Sequence, residues 1–275
     1  MPPGPPAAIP RGNPRIADWT NHRVWLLGAS AGIGEALAHA LAGRGAKLVL
    51  SARNAPALAD LARALGPGHC TLALDATDSA ALDAAFARFD SGELPLPSVG
   101  VYLAGDYQPL DARQGETALP AARHMLAVNY AAAVEWSLRL GPRLLATPAP
   151  ASGIALVASV AGYTGLPQAL AYSPSKAALI RFAECLYLDL APQSLGVWAI
   201  NPGFVATRLT AQNDFEMPAL MPPEAAAEAI VRGFASGRFE IHFPTRFTRL
   251  LKIAAILPYA LSMPLFAHIA RKKPR

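Results

Sequence analysis

Between Arg23 and Phe243 the chain alternates short apolar runs with alanine- and leucine-rich stretches that favour helix. This alternation constrains the fold more than any single residue. Continuous apolar runs read as strands buried on both faces, and a helical stretch between successive runs returns the chain for parallel pairing. The pattern predicts strands near 23–28, 47–51, 70–74, 98–103, 153–158, 196–200 and 239–243. Helices are predicted near 33–44, 55–65, 78–89, 118–145, 169–191 and 223–236. Right-handed crossovers then give one doubly wound parallel sheet with helices on both faces. No internal repeat marks a solenoid or propeller.

Residues 22–245 read as one domain with an ample apolar core, 53% of the 275 residues being apolar. Residues 1–21 carry Pro2, Pro3, Pro5, Pro6, Pro10 and Pro14 and are expected to be a disordered tail. They lack the continuous apolar core of a secretory signal, so a cytoplasmic protein is expected. Cys70 and Cys185 show no paired spacing and fit a reducing compartment, each expected as a small buried hydrophobe. The histidines form no ligand pattern, so no metal is expected. The net charge of +5 comes from basic residues scattered along the chain, apart from the last five positions, and leaves no nucleic-acid footprint.

The first predicted strand runs directly into Gly28-Ala29-Ser30-Ala31-Gly32-Ile33-Gly34, and a helical stretch opening on Glu35 follows. A glycine-rich turn between strand and helix lets backbone N–H groups approach a pyrophosphate at the helix N-terminus. The G-x-x-x-G-x-G spacing differs from the commoner G-x-G-x-x-G. Far downstream, Tyr172 and Lys176 stand four residues apart, which places phenol and ammonium on one face of a helix. A nearby cation favours the ionised phenol and is expected to lower its pKa, fitting it to exchange a proton with a substrate oxygen. Pro174 lies between them and fits a helix only in its first turn, which sets Tyr172 at the helix mouth.

Further motifs follow predicted strand ends: Asp75-Ala76, Ala104-Gly105, Ser159, and Asn201-Pro202-Gly203-Phe204-Val205-Ala206-Thr207, with Asn129 inside a helical stretch. Together with the glycine turn and the Tyr/Lys pair, these resemble the short-chain dehydrogenase/reductase family over roughly residues 22–245. The resemblance implies a Rossmann-type fold in which Ser159 holds a substrate carbonyl, Tyr172 delivers the proton, Lys176 binds the nicotinamide ribose and tunes Tyr172, and Asn129 anchors a water leading protons to bulk. It also implies cofactor contacts from Gly28, Ser30, Gly32, Ile33, Gly34, Asp75, Ala76, Ala104, Gly105, Pro202, Gly203, Val205 and Thr207. Leu27 and Tyr102-Leu103 depart from the family pattern at positions expected to brace the sheet and turn.

At the end of the second strand, Ala52 stands where an NAD-preferring enzyme carries an acid, and Arg53 follows. A guanidinium there favours a 2′-phosphate, hence NADP(H). The expected protein is an NADP(H)-dependent oxidoreductase interconverting a carbonyl and a secondary alcohol, acting as a homodimer or homotetramer. Alternatives are a catalytically idle nucleotide-binding sensor or scaffold, and a relative acting on C=C bonds or as an epimerase. A lid from Phe204 to Glu224, with Leu209, Phe215, Met217, Leu220 and Met221, suggests a hydrophobic substrate. Residues 246–275 form an apolar, helical extension ending in Arg271-Lys272-Lys273-Pro274-Arg275. Its prolines and Lys252 argue against a spanning helix, so it is expected to pack on the lid or a neighbouring subunit, or to lie in a membrane interface.

Overall fold

A computed structural model describes residues 12–147, 149–212 and 217–271. The strands are β1 (Arg23–Leu27), β2 (Lys47–Ala52), β3 (Cys70–Ala73), β4 (Val99–Tyr102), β5 (Gly153–Val157), β6 (Gly196–Pro202) and β7 (Glu240–Phe243). They form one parallel sheet in the order β3-β2-β1-β4-β5-β6-β7. Helices α1 (Gly32–Ala42), α2 (Ala55–Leu65) and α7 (Pro223–Ser236) cover one face. The other face packs against α3 (Ser79–Asp90), α5 (Ala132–Ala146) and α6 (Tyr172–Leu190). The strand order reverses between β1 and β4, the position where doubly wound sheets open a crevice for ligands.

Local chemistry fixes the helix starts. The Asn54 side chain accepts from the Ala57 N–H at the head of α2, and Asp78 accepts from Ala80 and Ala81 at the head of α3. Beneath α3 and α5, Trp25 packs against Phe86, Phe89 and Trp136 with ring centroids 5.0–5.3 Å apart. The Trp25 indole is not orphaned there, because it donates to the Ser51 hydroxyl at 2.8 Å.

The single helix expected over 118–145 is three pieces: α4 (Leu119–Leu126), a π-helical turn at Ala127–Ala131, and α5. Such a bulge displaces backbone groups from the regular ladder. The buried Tyr102 hydroxyl donates to the Val128 carbonyl at 2.7 Å, so the departure from family pattern at Tyr102 has a bracing role here. The extension forms α8 (Thr245–Ala255) and α9 (Tyr259–Arg271). Residues 272–275, and Phe215 of the lid, lie outside the described residues.

The expectation of a disordered tail over 1–21 is corrected from residue 12 onward; residues 1–11 lie outside the described set. Ile16 and Trp19 are buried in the sheet–α7 core, where the Trp19 ring meets Phe234 edge-on at 5.3 Å. Asn13 is buried beside β6. Its amide donates to the Val197 carbonyl at 2.6 Å, its carbonyl accepts from the Val197 N–H at 2.9 Å, and its own N–H donates to Gly237 O at 2.7 Å. The average composition of a proline-rich window hides three residues that each fill a specific vacancy in the body.

Asn13→Ala would leave both backbone groups of Val197 without these partners. A loss of roughly 1–3 kcal/mol is expected, the usual cost of orphaning buried polar groups. It would be read as a lower urea midpoint with an unchanged denaturant slope; an unchanged midpoint would show that the Asn13 bonds do not stabilise the fold.

Candidate active site

The glycine turn brings three elements closer than side chains allow. Gly28 (φ 108°) and Gly32 (φ 58°) both adopt backbone conformations that favour glycine. A Cβ on Gly28 would lie 2.6 Å from the Ala104 nitrogen, and one on Gly34 would lie 2.1 Å from the Gly28 oxygen. The end of β1, the start of α1 and the turn after β4 are thereby packed backbone to backbone. Ala31 caps α1 without a side-chain bond, so the helix presents its first N–H groups towards the turn. Ser30 lies within this turn, and Ile33 packs against the core below it. This cradle suits an anionic group such as a pyrophosphate.

Other predicted residues reach the same edge. Arg53 and Asp75 follow neighbouring strands, and the exposed Arg53 guanidinium lies 3.9 Å from the Asp75 carboxylate. Burial raises the Asp75 pKa, but the Thr77 N–H and hydroxyl and the Arg53 charge outweigh it, and the carboxyl lies below its ordinary value. Ala76 beside it is buried. Across the cleft, Gly203, directly after Pro202 ends β6, donates its N–H to Phe243 O at 2.7 Å, and Val205 bridges to Met221. The Thr207 methyl lies 3.0 Å from where a Cβ on Gly32 would stand, so the lid begins directly over the glycine turn.

The four residues expected to do chemistry converge on this edge. Ser159 heads a short 3-10 turn, Val160–Gly162, and its hydroxyl accepts from the Ala161 N–H at 3.1 Å. It also acts on the Tyr172 phenol, whose pKa it lowers. Tyr172 is the first residue of α6 and Pro174 the third, the position where a missing donor is tolerated. Lys176, buried one turn deeper, donates to the Val157 carbonyl at 3.0 Å. A Cβ on Gly105 would sit 3.2 Å from the Asn129 oxygen and 3.5 Å from the Lys176 nitrogen. Gly105, Asn129 and Lys176 are therefore near neighbours.

One expectation needs correction. The Tyr172 phenol does not have a lowered pKa: burial pushes it up to about 12, the Ser159 hydroxyl opposes this, and Tyr107 adds to it. The Lys176 ammonium lies 5.8 Å from the Tyr172 ring centroid, with the Val157 carbonyl as its acceptor, and desolvation dominates over its field. Asn129 is held by three hydrogen bonds. Its amide donates to Asp106 O at 2.9 Å and to the Ser175 hydroxyl at 3.2 Å, and its oxygen accepts from the Asp106 N–H at 2.8 Å.

Sequence reasoning missed Ser175 and Tyr107. The Ser175 hydroxyl links the Tyr172 carbonyl at 2.7 Å to Asn129, coupling the head of α6 to the π turn. A small hydroxyl residue immediately before Lys176 was the available signal. The Tyr107 ring meets Tyr172 edge-on at 5.0 Å. It lies in an irregular segment after β4, where neither periodicity nor a motif marks it.

A family model described as short chain dehydrogenase matches residues 22–217. An uncharacterized oxidoreductase of Myxococcus xanthus is 32% identical over 262 residues, which cover 94% of this chain and 99% of that relative. A short chain dehydrogenase of Burkholderia cenocepacia, solved in complex with NADP, matches with a TM-score of 0.77 at 23% identity over 90% of this chain and 98% of its own. A short-chain dehydrogenase of Sphingobium yanoikuyae, solved in complex with NADPH, gives 0.74 at 23% identity over 92% and 98%. These two likenesses show a shared fold.

Lys176 makes stability depend on pH. Burial lowers its pKa to about 8, whereas a lysine in an unfolded chain titrates near 10.4. Between about 8 and 10.4 the unfolded chain holds a proton that the native state has released, so this residue raises stability as pH climbs through that window; below it the full cost of the buried ammonium is present. Lys176→Met should flatten the curve, the wild type gaining on the order of a few kcal/mol relative to the variant across the window. Urea unfolding at stepped pH checks this, and parallel curves would refute it.

Proposed function

The chain belongs to the short-chain dehydrogenase family, and from that premise we propose that it is an NADP(H)-dependent oxidoreductase interconverting a carbonyl and a secondary alcohol. The observation that carries the reading is the Tyr172 phenol at the head of α6, with Lys176 buried one helical turn below and the Ser159 hydroxyl near enough to lower the phenol's pKa. The glycine cradle fits a dinucleotide, since Gly28 and Gly34 let the end of β1, the turn after β4 and the head of α1 pack backbone to backbone, and the first N–H groups of α1 carry no side-chain cap. A nicotinamide cofactor bound along this edge supplies or accepts the hydride.

In this reading Ser159 holds the substrate carbonyl by its hydroxyl while Tyr172 gives its proton to the same oxygen. A phenol titrating near 12 is fully protonated at neutral pH, which suits the donor's part in carbonyl reduction. Lys176 binds the nicotinamide ribose, and its cation stabilises the phenolate left behind. Asn129 fixes the turn at Gly105 and Asp106, and anchors a water leading protons to bulk through the acceptor capacity that Asp106 does not use. Arg53 takes the 2′-phosphate, while Asp75 and Ala76 contact the adenine, and Thr207 touches the nicotinamide carboxamide.

The substrate in this reading is hydrophobic, supported by Leu220, exposed in the lid, and by the Tyr107 ring walling one side of Tyr172. Self-association as a dimer or tetramer is supported by Leu126, Leu138 and Leu188, exposed on α4, α5 and α6. A cytoplasmic location fits the two free cysteines, which are not the buried hydrophobes expected: Cys70 is half-buried and Cys185 exposed on α6.

Tyr172→Phe should lower turnover by about 10²–10⁴ while NADPH binding persists, because the ring still packs and only the proton is lost. Turnover above about a tenth of wild type, with chemistry rate-limiting, would remove Tyr172 from the acid's role. Arg53→Ala should weaken NADPH by about 1.5–3 kcal/mol, the range for a hydrogen bond to a charged group, and leave NADH nearly unchanged. Equal losses for both cofactors in a fluorescence titration would show that Arg53 does not read the phosphate.

A further inference from the structure

The charge of the chain is segregated. Residues 245–275 hold seven of the 24 lysines and arginines and none of the 19 acids, so residues 1–244 carry 17 cations against 19 acids. The whole positive excess of the protein belongs to its C-terminal extension.

The structure shows what the apolar part of that extension does. α8 is seated through its inner face: Thr248 is buried and its hydroxyl pairs with the His242 ring at 2.6 Å, Phe247 meets Phe204 at 5.8 Å, and Lys252 is ion-paired with Glu240. The outer face carries Arg246, Arg249, Leu250, Ile253 and Ile256, a spacing of three and four residues that gathers them on one arc of the helix. Leu250 is 65% exposed, Ile253 58% and Ile256 82%. α9 adds exposed Tyr259, Leu261, Met263 and Leu265, with Ser262 and Phe266 turned inward. Packing on the lid therefore leaves this surface uncovered. No helix among the described residues is long and apolar enough to cross a membrane.

An apolar row flanked by arginines on one helical arc has the composition of an interfacial helix, whose aliphatic side chains enter the head-group boundary while its cations meet anionic lipid. A second copy of the chain is a poorer occupant, because an isologous contact would bring the same unbalanced cations face to face. We propose that the outer face of α8, continued by α9, docks the protein on a lipid surface carrying anionic head groups. The active-site edge is not needed for this contact, so the proposal stands apart from the oxidoreductase reading.

The full chain is sedimented with vesicles of phosphatidylcholine alone and of phosphatidylcholine mixed with phosphatidylglycerol. It should pellet with the mixed vesicles at low salt, remain in the supernatant with the neutral ones, and be released at about 0.5 M salt, where charges are screened beyond a few ångströms. Arg246→Gln combined with Arg249→Gln should weaken partitioning on the order of tenfold or more, each cation near the surface contributing several-fold. Leu250→Ser with Ile253→Ser and Ile256→Ser should abolish it. The proposal is overturned if the full chain ignores anionic vesicles, if it binds neutral and anionic vesicles alike, or if the serine variant binds as wild type does. It is also overturned if the serine variant, analysed by sedimentation velocity without lipid, falls to a smaller oligomer, since the face would then be a subunit contact.

Discussion

The contact among Gly28, Gly34 and Ala104 is the constraint from which the site follows. A parallel sheet delivers every strand end to one edge, but it does not by itself make those ends meet. Here the end of β1, the start of α1 and the turn after β4 approach to distances that admit no side chain. The closest approach lies where the strand order reverses, so the helix start opens into the crevice between β1 and β4. Gly32 and Thr207 meet beside that point, and Gly105 and Lys176 lie next to Asn129.

Burial governs the chemistry more than charge pairing does. Lys176 and Tyr172 are desolvated together, and each is driven towards its neutral form: the ammonium towards amine and the phenolate towards phenol. The two shifts have opposite sign on the pH scale but one cause. The Ser159 hydroxyl works against that cause at the phenol, and the Val157 carbonyl offers the ammonium some compensation. A site tuned in this way changes its electrostatics whenever a charged or polar group enters it.

The sheet was legible in the sequence because its strands are buried on both faces, which leaves uninterrupted apolar runs at regular spacing. The helices were legible where capping residues such as Asn54 and Asp78 mark their starts. The candidate site residues were marked in the sequence by motifs that follow the strand ends in chain order. Three features were not. The docking of Ile16 and Trp19 depends on complementary space against α7, which no local window reports. The π turn at Asn129 depends on partners at Asp106, Ser175 and Tyr102, all distant in sequence. The raised phenol pKa depends on how deeply the head of α6 is covered, whereas the Tyr/Lys spacing conveys only proximity.

The placement of Asn13 bears on solubility. β6 is longer than β7 and pairs with it only from Ala199 to Pro202, so the first three residues of β6 extend past the border strand. An unpaired stretch of that kind is a template on which a strand from another molecule can add. Asn13 occupies it with a side-chain amide that copies the donor and acceptor of a peptide unit, and the chain then turns away through Pro14 without continuing the ladder. Proline cannot donate the next hydrogen bond, so the imitation strand stops after one residue. The segment before β1 thus covers the stretch of β6 that the border strand leaves unpaired, the task that edge lysines, bulges and short strands perform elsewhere.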